Sequence, residues 1–241
     1  KYFLYFPAKD YKGIFRIGVA VGENPEGPFT PMDKPIEGSF SIDPAVYKDD
    51  NGEYYMYFGG IWGGQLQRWR NGVFNPNNPT SPVAFLPNDD EPALLPFVAK
   101  MSDDLLEFAE KPAEVQILDE RGKLLLAGDN ERRFFEAAWV HKYDGKYYFS
   151  YSTGDTHFIC YAIGDNPYGP FTYKGKILNP VVGWTSHHSI CEFRGKWYLF
   201  YHDSSLSKGV THLRSIKIAE IQYDKDGLIR TLEPYNDFLI L

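Results

Sequence analysis

Gly52-Glu-Tyr-Tyr-Met-Tyr-Phe58 is the stretch that decides the fold, because close copies of it recur along the chain. The copies are Gly145-Lys-Tyr-Tyr-Phe-Ser-Tyr151 and Gly195-Lys-Trp-Tyr-Leu-Phe-Tyr201, and the chain opens on the related Lys1-Tyr-Phe-Leu-Tyr-Phe6. Each copy with a glycine follows a short apolar segment and a polar turn, which is typical of a hairpin. We therefore expect four second strands of a repeated hairpin, starting near residues 1, 53, 146 and 196.

A second repeat supports the same architecture. Ala20-Val-Gly-Glu-Asn-Pro-Glu-Gly-Pro-Phe-Thr30 matches Ala162-Ile-Gly-Asp-Asn-Pro-Tyr-Gly-Pro-Phe-Thr172. We interpret it as a loop between the outer strands of each repeat. Repeats of roughly 50 residues with four short strands are typical of β-propeller blades. The sequence therefore predicts an all-β fold with one propeller domain over residues 1–241, whereas a jelly roll or sandwich would leave the recurrence unexplained.

The step from Gly52 to Gly145 is longer than one repeat, so we expect an insertion at residues 71–130. It contains the proline-rich stretch at 75–82 and the acidic Asp89-Asp-Glu91. Two interpretations stay open, a loop that decorates the surface and a loop that shapes a pocket.

Composition narrows the classes of function. The chain has 18 Tyr, 18 Phe and 5 Trp, which favour half-buried strands. Its net charge of −7 argues against non-specific binding to nucleic acid, because little would neutralise the phosphates. The sequence contains no run of 18 apolar residues, so it predicts no membrane span. Cys160 and Cys191 lack metal-type spacing, so we expect two buried free thiols, with a disulfide or a reactive thiol as the alternative. Oligomeric state and compartment stay open.

Three polar residues occupy equivalent positions in the repeats. Asp43 and Glu136 each lie nine residues before a turn glycine, Gly52 and Gly145, and His187 lies eight before Gly195. Equivalent strand ends of a propeller surround one opening, so we expect these side chains to share a site. The alternative for Asp43 is a turn cap, since Asp before Pro favours turns.

A pair of carboxylates beside aromatic residues is the usual equipment for glycoside hydrolysis. Glu136 lies between Phe135 and Ala137-Ala138-Trp139, where burial would raise its pKa toward that of a general acid. A negative charge on Asp43 would raise the pKa further.

The remaining candidates each have two interpretations. Trp62, flanked by glycines, suits stacking on a sugar ring or filling of the core. Arg214 could hold sugar hydroxyls or the acid pair, or could form a surface ion pair. We interpret Trp139 and Trp197 as core residues. Three histidines are interpreted as hydrogen-bonded scaffold: His157, His188 and His202.

Several segments together resemble glycoside hydrolase family 43. They are Ser41-Ile-Asp-Pro-Ala-Val-Tyr47, Phe134-Phe-Glu-Ala-Ala-Trp139, Thr185-Ser-His-His-Ser-Ile190 and Leu199-Phe-Tyr-His202, and the likeness runs through the whole chain. The resemblance implies a five-bladed propeller and an inverting glycosidase. The activities characteristic of that family are β-xylosidase, α-L-arabinofuranosidase and arabinanase.

The resemblance also implies roles for the candidate residues. Glu136 would be the general acid, and Asp43 would tune its pKa and orient substrate. His187 would match a central histidine that in many members ligates a calcium ion, directly or through water. Trp62, Arg214, Phe135 and His187 would bind substrate. A calcium ion on the axis is the weaker expectation, because calcium prefers oxygen ligands.

One departure from the family pattern concerns the general base, an Asp in the first blade. No Asp in residues 1–241 fits it, and Asp10 follows the second strand of its repeat, so we do not assign it. We expect blade 1, with the base, and the first strand of blade 2 to precede Lys1.

These observations predict an exo-acting hydrolase that releases terminal xylose or arabinose from oligosaccharides of plant polysaccharides. An open groove would instead favour an endo-acting arabinanase. The rivals from other classes are a non-catalytic carbohydrate-binding propeller and a propeller scaffold for protein interactions. Equivalent acids on one axis argue against the scaffold.

Overall fold

The computed structural model describes residues 1–77, 81, 84–184 and 186–239. Part of the proline-rich stretch, residues 78–80 and 82, and Thr185 therefore lie outside the described residues. Fifteen strands account for the regular structure there, with two short 3₁₀ segments at Trp62–Gly64 and Leu66–Trp69. The strands are β1 (Tyr2–Lys9), β2 (Phe15–Gly22), β3 (Thr30–Pro31), β4 (Ala45–Lys48), β5 (Tyr54–Phe58), β6 (Phe97–Lys100), β7 (Ala113–Glu114), β8 (Ile117–Leu118), β9 (Glu136–Tyr143), β10 (Lys146–Ser152), β11 (Ile159–Gly164), β12 (Phe171–Leu178), β13 (His188–Phe193), β14 (Lys196–Asp203) and β15 (Ser215–Ile221).

The strands form four separate sheets in chain order, which confirms the all-β prediction. Their orders are β1-β2-β3, β4-β5-β6-β7, β8-β12-β11-β10-β9 and β13-β14-β15. The four second strands expected near residues 1, 53, 146 and 196 are β1, β5, β10 and β14. The Asn-Pro-x-Gly-Pro-Phe segments link β2 to β3 and β11 to β12, as predicted.

The predicted insertion at 71–130 is only partly an insertion. Its strands β6 and β7 complete the second sheet, and β8 pairs in parallel with β12 of the third sheet. Within β6, Val98 and Ala99 are fully buried, so this segment is part of the core. Four residues are too few for the alternation of apolar and polar side chains to identify a strand from sequence.

Strands β4, β9 and β13, each the first strand of a repeated hairpin, lie side by side. Strand β9 contacts both β4 and β13, so the segments that enter these strands share one end of the structure. Aromatic side chains fill the space between sheets, among them Tyr57 and Phe149, with ring centroids 5.9 Å apart. The Tyr57 hydroxyl donates to the Pro167 carbonyl at 2.7 Å, so this buried polar atom is satisfied across two sheets.

Both cysteines are free thiols, as expected, but only one of them is buried. Cys160 is fully buried in β11, and burial raises the pKa of its thiol to about 12. Cys191 is exposed, because it lies on the outward face of β13. Neither 3₁₀ segment approaches the length and apolar character that a bilayer-spanning helix requires, and the described residues contain no such helix.

Candidate active site

The structure brings Asp43, Glu136 and His187 to one end of the three adjacent first strands. Asp43 lies two residues before β4, Glu136 is the first residue of β9, and His187 immediately precedes β13. The Nδ1 atom of His187 lies 3.8 Å from Oδ1 of Asp43. The equivalence of positions seen in the repeats therefore corresponds to proximity in space.

Asp43 is joined to the strand of Glu136 by a direct hydrogen bond. The backbone N–H of Ala137 donates to Oδ2 of Asp43 at 3.1 Å. Ala137 adopts a φ of 62°, and the pairing of β9 with β10 shifts between Glu136↔Ser152 and Trp139↔Ser150. This irregularity is a β-bulge, a feature that redirects backbone and side chains at the ends of strands. The bulge turns the Ala137 N–H toward Asp43.

Burial controls the ionisation of Asp43 and His187. The Asp43 side chain is 17% exposed, and loss of water raises its pKa to about 6. The Ala137 hydrogen bond and the positive charge of Arg214 oppose that rise. Burial lowers the pKa of His187, with Glu136 opposing the shift and Arg214 adding to it. At neutral pH the site therefore holds an ionised Asp43 next to a neutral imidazole.

Arg214 reaches the site from the segment that precedes β15. Its Nε donates to the Thr211 carbonyl at 2.9 Å, and its Nη1 lies 3.2 Å from Nε2 of His202. The backbone N–H of His187 donates to the same Nε2 at 3.0 Å. Burial lowers the pKa of His202 to about 4, so its ring is neutral and the single lone pair of Nε2 is shared between the two donors. His202 thus links Arg214 to His187, which confirms its predicted place as hydrogen-bonded scaffold.

The loop at residues 59–64 carries Trp62 beside the carboxylates. Oγ of Ser41 accepts the Gly60 N–H at 2.9 Å and donates to the Gly64 carbonyl at 2.7 Å. A Cβ on Gly60 or Gly64 would lie 2.6 or 2.7 Å from Cγ1 of Ile42. Both glycines are therefore required for this loop to pack on the segment that carries Asp43.

Trp62 forms one side of an aromatic group around the site. Its ring stacks on that of Trp184 at 5.7 Å and meets Phe135 edge-on at 5.3 Å. Trp62 is half-buried, so a stacking surface and a packing role both remain open for it. Phe135 is only 2% exposed, and its ring supports Trp62 from behind. This position does not support the predicted contact of Phe135 with substrate.

The other predicted residues divide between the scaffold and the core. Nε2 of His188 is 2.7 Å from Oγ of Ser150, which confirms a scaffold position. His157 departs from its predicted hydrogen-bonded role, because its ring meets Trp184 at 5.3 Å between centroids and its buried Nδ1 has no hydrogen-bond partner among the described residues. Trp139 and Trp197 pack against the core between the third and fourth sheets. Asp10 accepts the N–H groups of Lys12 and Ile14 within the β1–β2 turn.

Sequence reasoning missed two contributors to the site, Trp184 and the Ala137 N–H. Trp184 comes three residues before His187, so its nearness in the chain was an available signal. The role of Ala137 depends on the bulge, which no residue type announces.

A calcium ion is the metal that the family resemblance implies for this site. Calcium takes about 6–8 oxygen ligands. The described part of the chain contains no group of three or more His, Cys, Asp or Glu side chains arranged to hold a metal. His187 brings a nitrogen and faces Asp43, so these residues do not fit a calcium site built from protein side chains.

Comparisons with known proteins identify the family of the chain. A family model described as glycosyl hydrolases family 43 matches residues 1–80 and 96–229. A xylosidase/arabinosidase of Bacteroides ovatus is 63% identical over 97% of this chain and 70% of its own length. A β-xylosidase of Xylanibacter ruminicola is 59% identical over 97% and 71%.

A solved structure is similar throughout as well. It is a family 43 β-xylosidase/α-arabinofuranosidase from a compost microbial metagenome, in complex with xylotriose and in a calcium-free form. Its TM-score is 0.93 at 64% identity, and the match covers 98% of this chain and 71% of that one. The chain is therefore a glycosidase that belongs to glycosyl hydrolase family 43.

Proposed function

We propose that this protein is an inverting, exo-acting glycosidase that releases terminal xylose or arabinose from oligosaccharides of plant polysaccharides. The observation that carries the proposal is the hydrogen bond from the Ala137 N–H to Asp43, which fixes a buried carboxylate beside the strand end that bears Glu136. Relatives named as xylosidase/arabinosidase and β-xylosidase support the choice of pentoses.

In this mechanism Glu136 protonates the glycosidic oxygen as the bond breaks. Asp43 is ionised at neutral pH, and its charge disfavours release of the proton from Glu136 before the reaction. Arg214 and His187 border the same carboxylate and would hold the hydroxyls of the terminal sugar. Trp62 would stack on the sugar ring. An inverting enzyme also needs a general base about 6.5–9.5 Å from the acid, and the proposal assigns no residue of 1–241 to it.

The test uses the full gene product with 4-nitrophenyl β-D-xyloside, 4-nitrophenyl α-L-arabinofuranoside, xylotriose and arabinan. Glu136→Gln should lower kcat on xylotriose by about 10²–10⁴-fold, because no acid then protonates the leaving oxygen. The nitrophenyl substrates should lose less, since nitrophenolate leaves without a proton. Glu114→Gln, on an exposed strand, is the matched control. Sugar binding without turnover of any substrate would favour the non-catalytic alternative, and turnover of arabinan alone would favour the arabinanase.

The proposed architecture is a five-bladed propeller in which the four sheets are four of the blades. Its support is the adjacency of β4, β9 and β13, as expected for inner strands around an axis. Large apolar side chains are also open on the first and last sheets, with Leu4 49% and Ile216 80% exposed. A crystal structure of the full gene product would count the blades, and a count other than five would refute the proposal.

A calcium ion on the axis is a separate proposal, with His187 as its single side-chain ligand and water supplying the oxygens. Its support is the position of His187 at the shared strand ends, with 41% of the side chain exposed. Calcium added to chelator-treated protein should raise the melting temperature, and His187→Ala should abolish that response. An unchanged melting temperature in the unsubstituted protein would refute the site.

A further inference from the structure

Gln67 is a buried polar residue that has no part in the proposed chemistry. It lies in the second 3₁₀ segment, Leu66–Trp69, and is 7% exposed. Its Oε1 accepts the backbone N–H of Trp62 at 2.9 Å, and its Nε2 donates to the Trp62 carbonyl at 3.3 Å. One side chain therefore binds both polar backbone groups of the tryptophan that lies beside the carboxylates.

Trp62 has a backbone conformation that needs such support. Its φ is 54°, in the left-handed region that a residue with a side chain rarely occupies. Glycines at positions 60, 63 and 64 surround it, and they bring no side chains that could hold the loop. Conformations of this kind persist only where the surrounding structure fixes them, and they cluster at ligand-binding sites. The Gln67 amide is a contact of this type, made directly to the strained residue.

The direction of the Trp62 ring follows from its backbone. The indole Nε1 is buried and has no hydrogen-bond partner in the part of the chain that the structure describes. The ring contacts Trp184 and Phe135, but apolar contacts have little directionality. A shift of the backbone at Trp62 would therefore move the ring.

The loop that Gln67 holds lies against the strand end that bears the acid. A Cβ on Gly60 would lie 3.4 Å from Cβ of Glu136, and the Ile61 N–H donates to the Phe135 carbonyl at 2.9 Å. A displaced Trp62 would thus be displaced relative to a sugar bound at Glu136, and small errors of position are costly at such sites.

We propose that Gln67 is a positioning residue that holds the indole face of Trp62 against the terminal sugar of the substrate. The inference rests on the proposed function, in which that sugar lies at Asp43 and Glu136. Gln67 acts through the backbone of Trp62 and touches none of the reacting atoms. Its loss should therefore weaken the binding of pentosides with any leaving group and leave the chemical step almost unchanged.

The first test compares Gln67→Met with Gln65→Met. Gln65 lies in the same loop, is 8% exposed, and binds the Gly13 carbonyl and the Phe15 N–H instead of Trp62. Gln67→Met should raise KM for 4-nitrophenyl β-D-xyloside and for xylotriose about three- to tenfold, with kcat almost unchanged. Gln65→Met should lower the melting temperature without that rise in KM. An equal rise in both variants would mean general loosening of the loop and would overturn the inference.

Gln67→Glu adds a test by chemical rescue. A protonated carboxyl offers one acceptor and one donor, as the amide does, whereas an ionised carboxylate keeps only the acceptor. Relative to the unsubstituted protein at the same pH, KM of Gln67→Glu should therefore lie below that of Gln67→Met, most clearly at about pH 5, where burial favours the protonated form. Equal KM values for the two variants at both pH 5 and pH 8 would contradict the role of the amide.

A double-mutant cycle asks whether Gln67 acts through the ring of Trp62. In the Trp62→Ala background no indole is left to position, so Gln67→Met should not raise KM further. It should still lower the melting temperature, because the N–H and carbonyl of residue 62 lose their partner in either background. KM effects that multiply would show that Gln67 affects binding by another route, and the inference would fall.

A spectroscopic measurement separates failure of this inference from failure of the proposed function. The Trp62 and Trp184 rings lie 5.7 Å apart and 23° from parallel, close enough for an exciton couplet in circular dichroism that Trp62→Phe removes. Gln67→Met should weaken the couplet, and Gln65→Met should not. If pentosides are hydrolysed and Gln67→Met leaves KM unchanged, the inference is wrong and the proposed function stands. If no pentoside is hydrolysed, the proposed function fails, and a couplet that Gln67→Met leaves unchanged would overturn the positioning of Trp62 as well.

Discussion

The carboxylate of Asp43 accepts a hydrogen bond from the backbone N–H of Ala137, the residue that follows Glu136. Both residues adopt positive φ, 59° for Asp43 and 62° for Ala137, a region that costs a residue with a side chain roughly 1–2 kcal/mol. Two such conformations on two sheets, joined by one hydrogen bond, are typical of a functional site that the surrounding fold holds in place.

The buried Asp43 should make stability depend on pH. Its pKa rises from 3.8 to about 6 on folding, so between roughly pH 4 and 6 the folded protein holds a proton that the unfolded chain has released. The resulting stability is fully present below pH 4 and is lost as pH rises through 6. Asp43→Asn removes this loss and should stabilise the protein at pH 7 relative to pH 4, by at most about 3 kcal/mol.

Urea denaturation of the two proteins at both pH values measures this difference. Asp33→Asn, on an exposed loop, is the control and should show no such change between the two pH values. An Asp43→Asn effect that is equal at pH 4 and pH 7 would contradict the assigned shift.

Arg214 should act on binding and on the charge of Asp43 together. Arg214→Met removes the positive charge that lowers the pKa of Asp43, so that pKa should rise further. It also removes a donor for sugar hydroxyls, and we expect kcat/KM on pentosides to fall at least about tenfold. The stability difference described for Asp43→Asn should extend to higher pH in this background. Arg121→Met, on an exposed turn, is the control, and equal kinetics of the two variants would rule out a role for Arg214 in the site.

Substitution of Trp62 should affect substrate binding, whereas substitution of a core tryptophan should affect stability. Trp62→Phe keeps an aromatic ring against Trp184 and Phe135, but offers a smaller stacking face. We expect KM for pentosides to rise several-fold, about 1 kcal/mol of binding, with little change in melting temperature. Trp197→Phe should show the reverse pattern, because Trp197 packs on His141 and Tyr223 in the core. A lower melting temperature with an unchanged KM for Trp62→Phe would make it a packing residue.

Gly60 and Gly63 offer a matched pair of substitutions that tests how the loop carrying Trp62 packs on Ile42. A Cβ at position 60 would meet Cγ1 of Ile42 at 2.6 Å, whereas one at position 63 would meet nothing within 4 Å. Gly60→Ala should therefore cost about 1–3 kcal/mol of stability and lower kcat, because Ile42 adjoins Asp43. Gly63→Ala should be nearly neutral in both. Chemical denaturation and kinetics measure both quantities, and similar results for the two variants would argue against close packing at Gly60.

The repeated hairpins, the all-β class and the equivalence of Asp43 and Glu136 were readable in the sequence. The reason is that a turn glycine fixes the register of its own hairpin, so a residue nine positions upstream falls at the same strand end in each copy. This local rule needs no knowledge of how the sheets pack. It failed at β6 and β7, whose strands of four and two residues carry too little pattern.

Only the tertiary structure decided how the site is held and lined. The Ala137 N–H reaches Asp43 because a bulge turns it, and the His202 ring joins Arg214 to His187 because β14 and β15 are packed beside β13. Trp184 faces Trp62 through a contact between distant parts of the chain. Such contacts follow from the packing of whole sheets against one another, and residue spacing along the chain does not encode them locally.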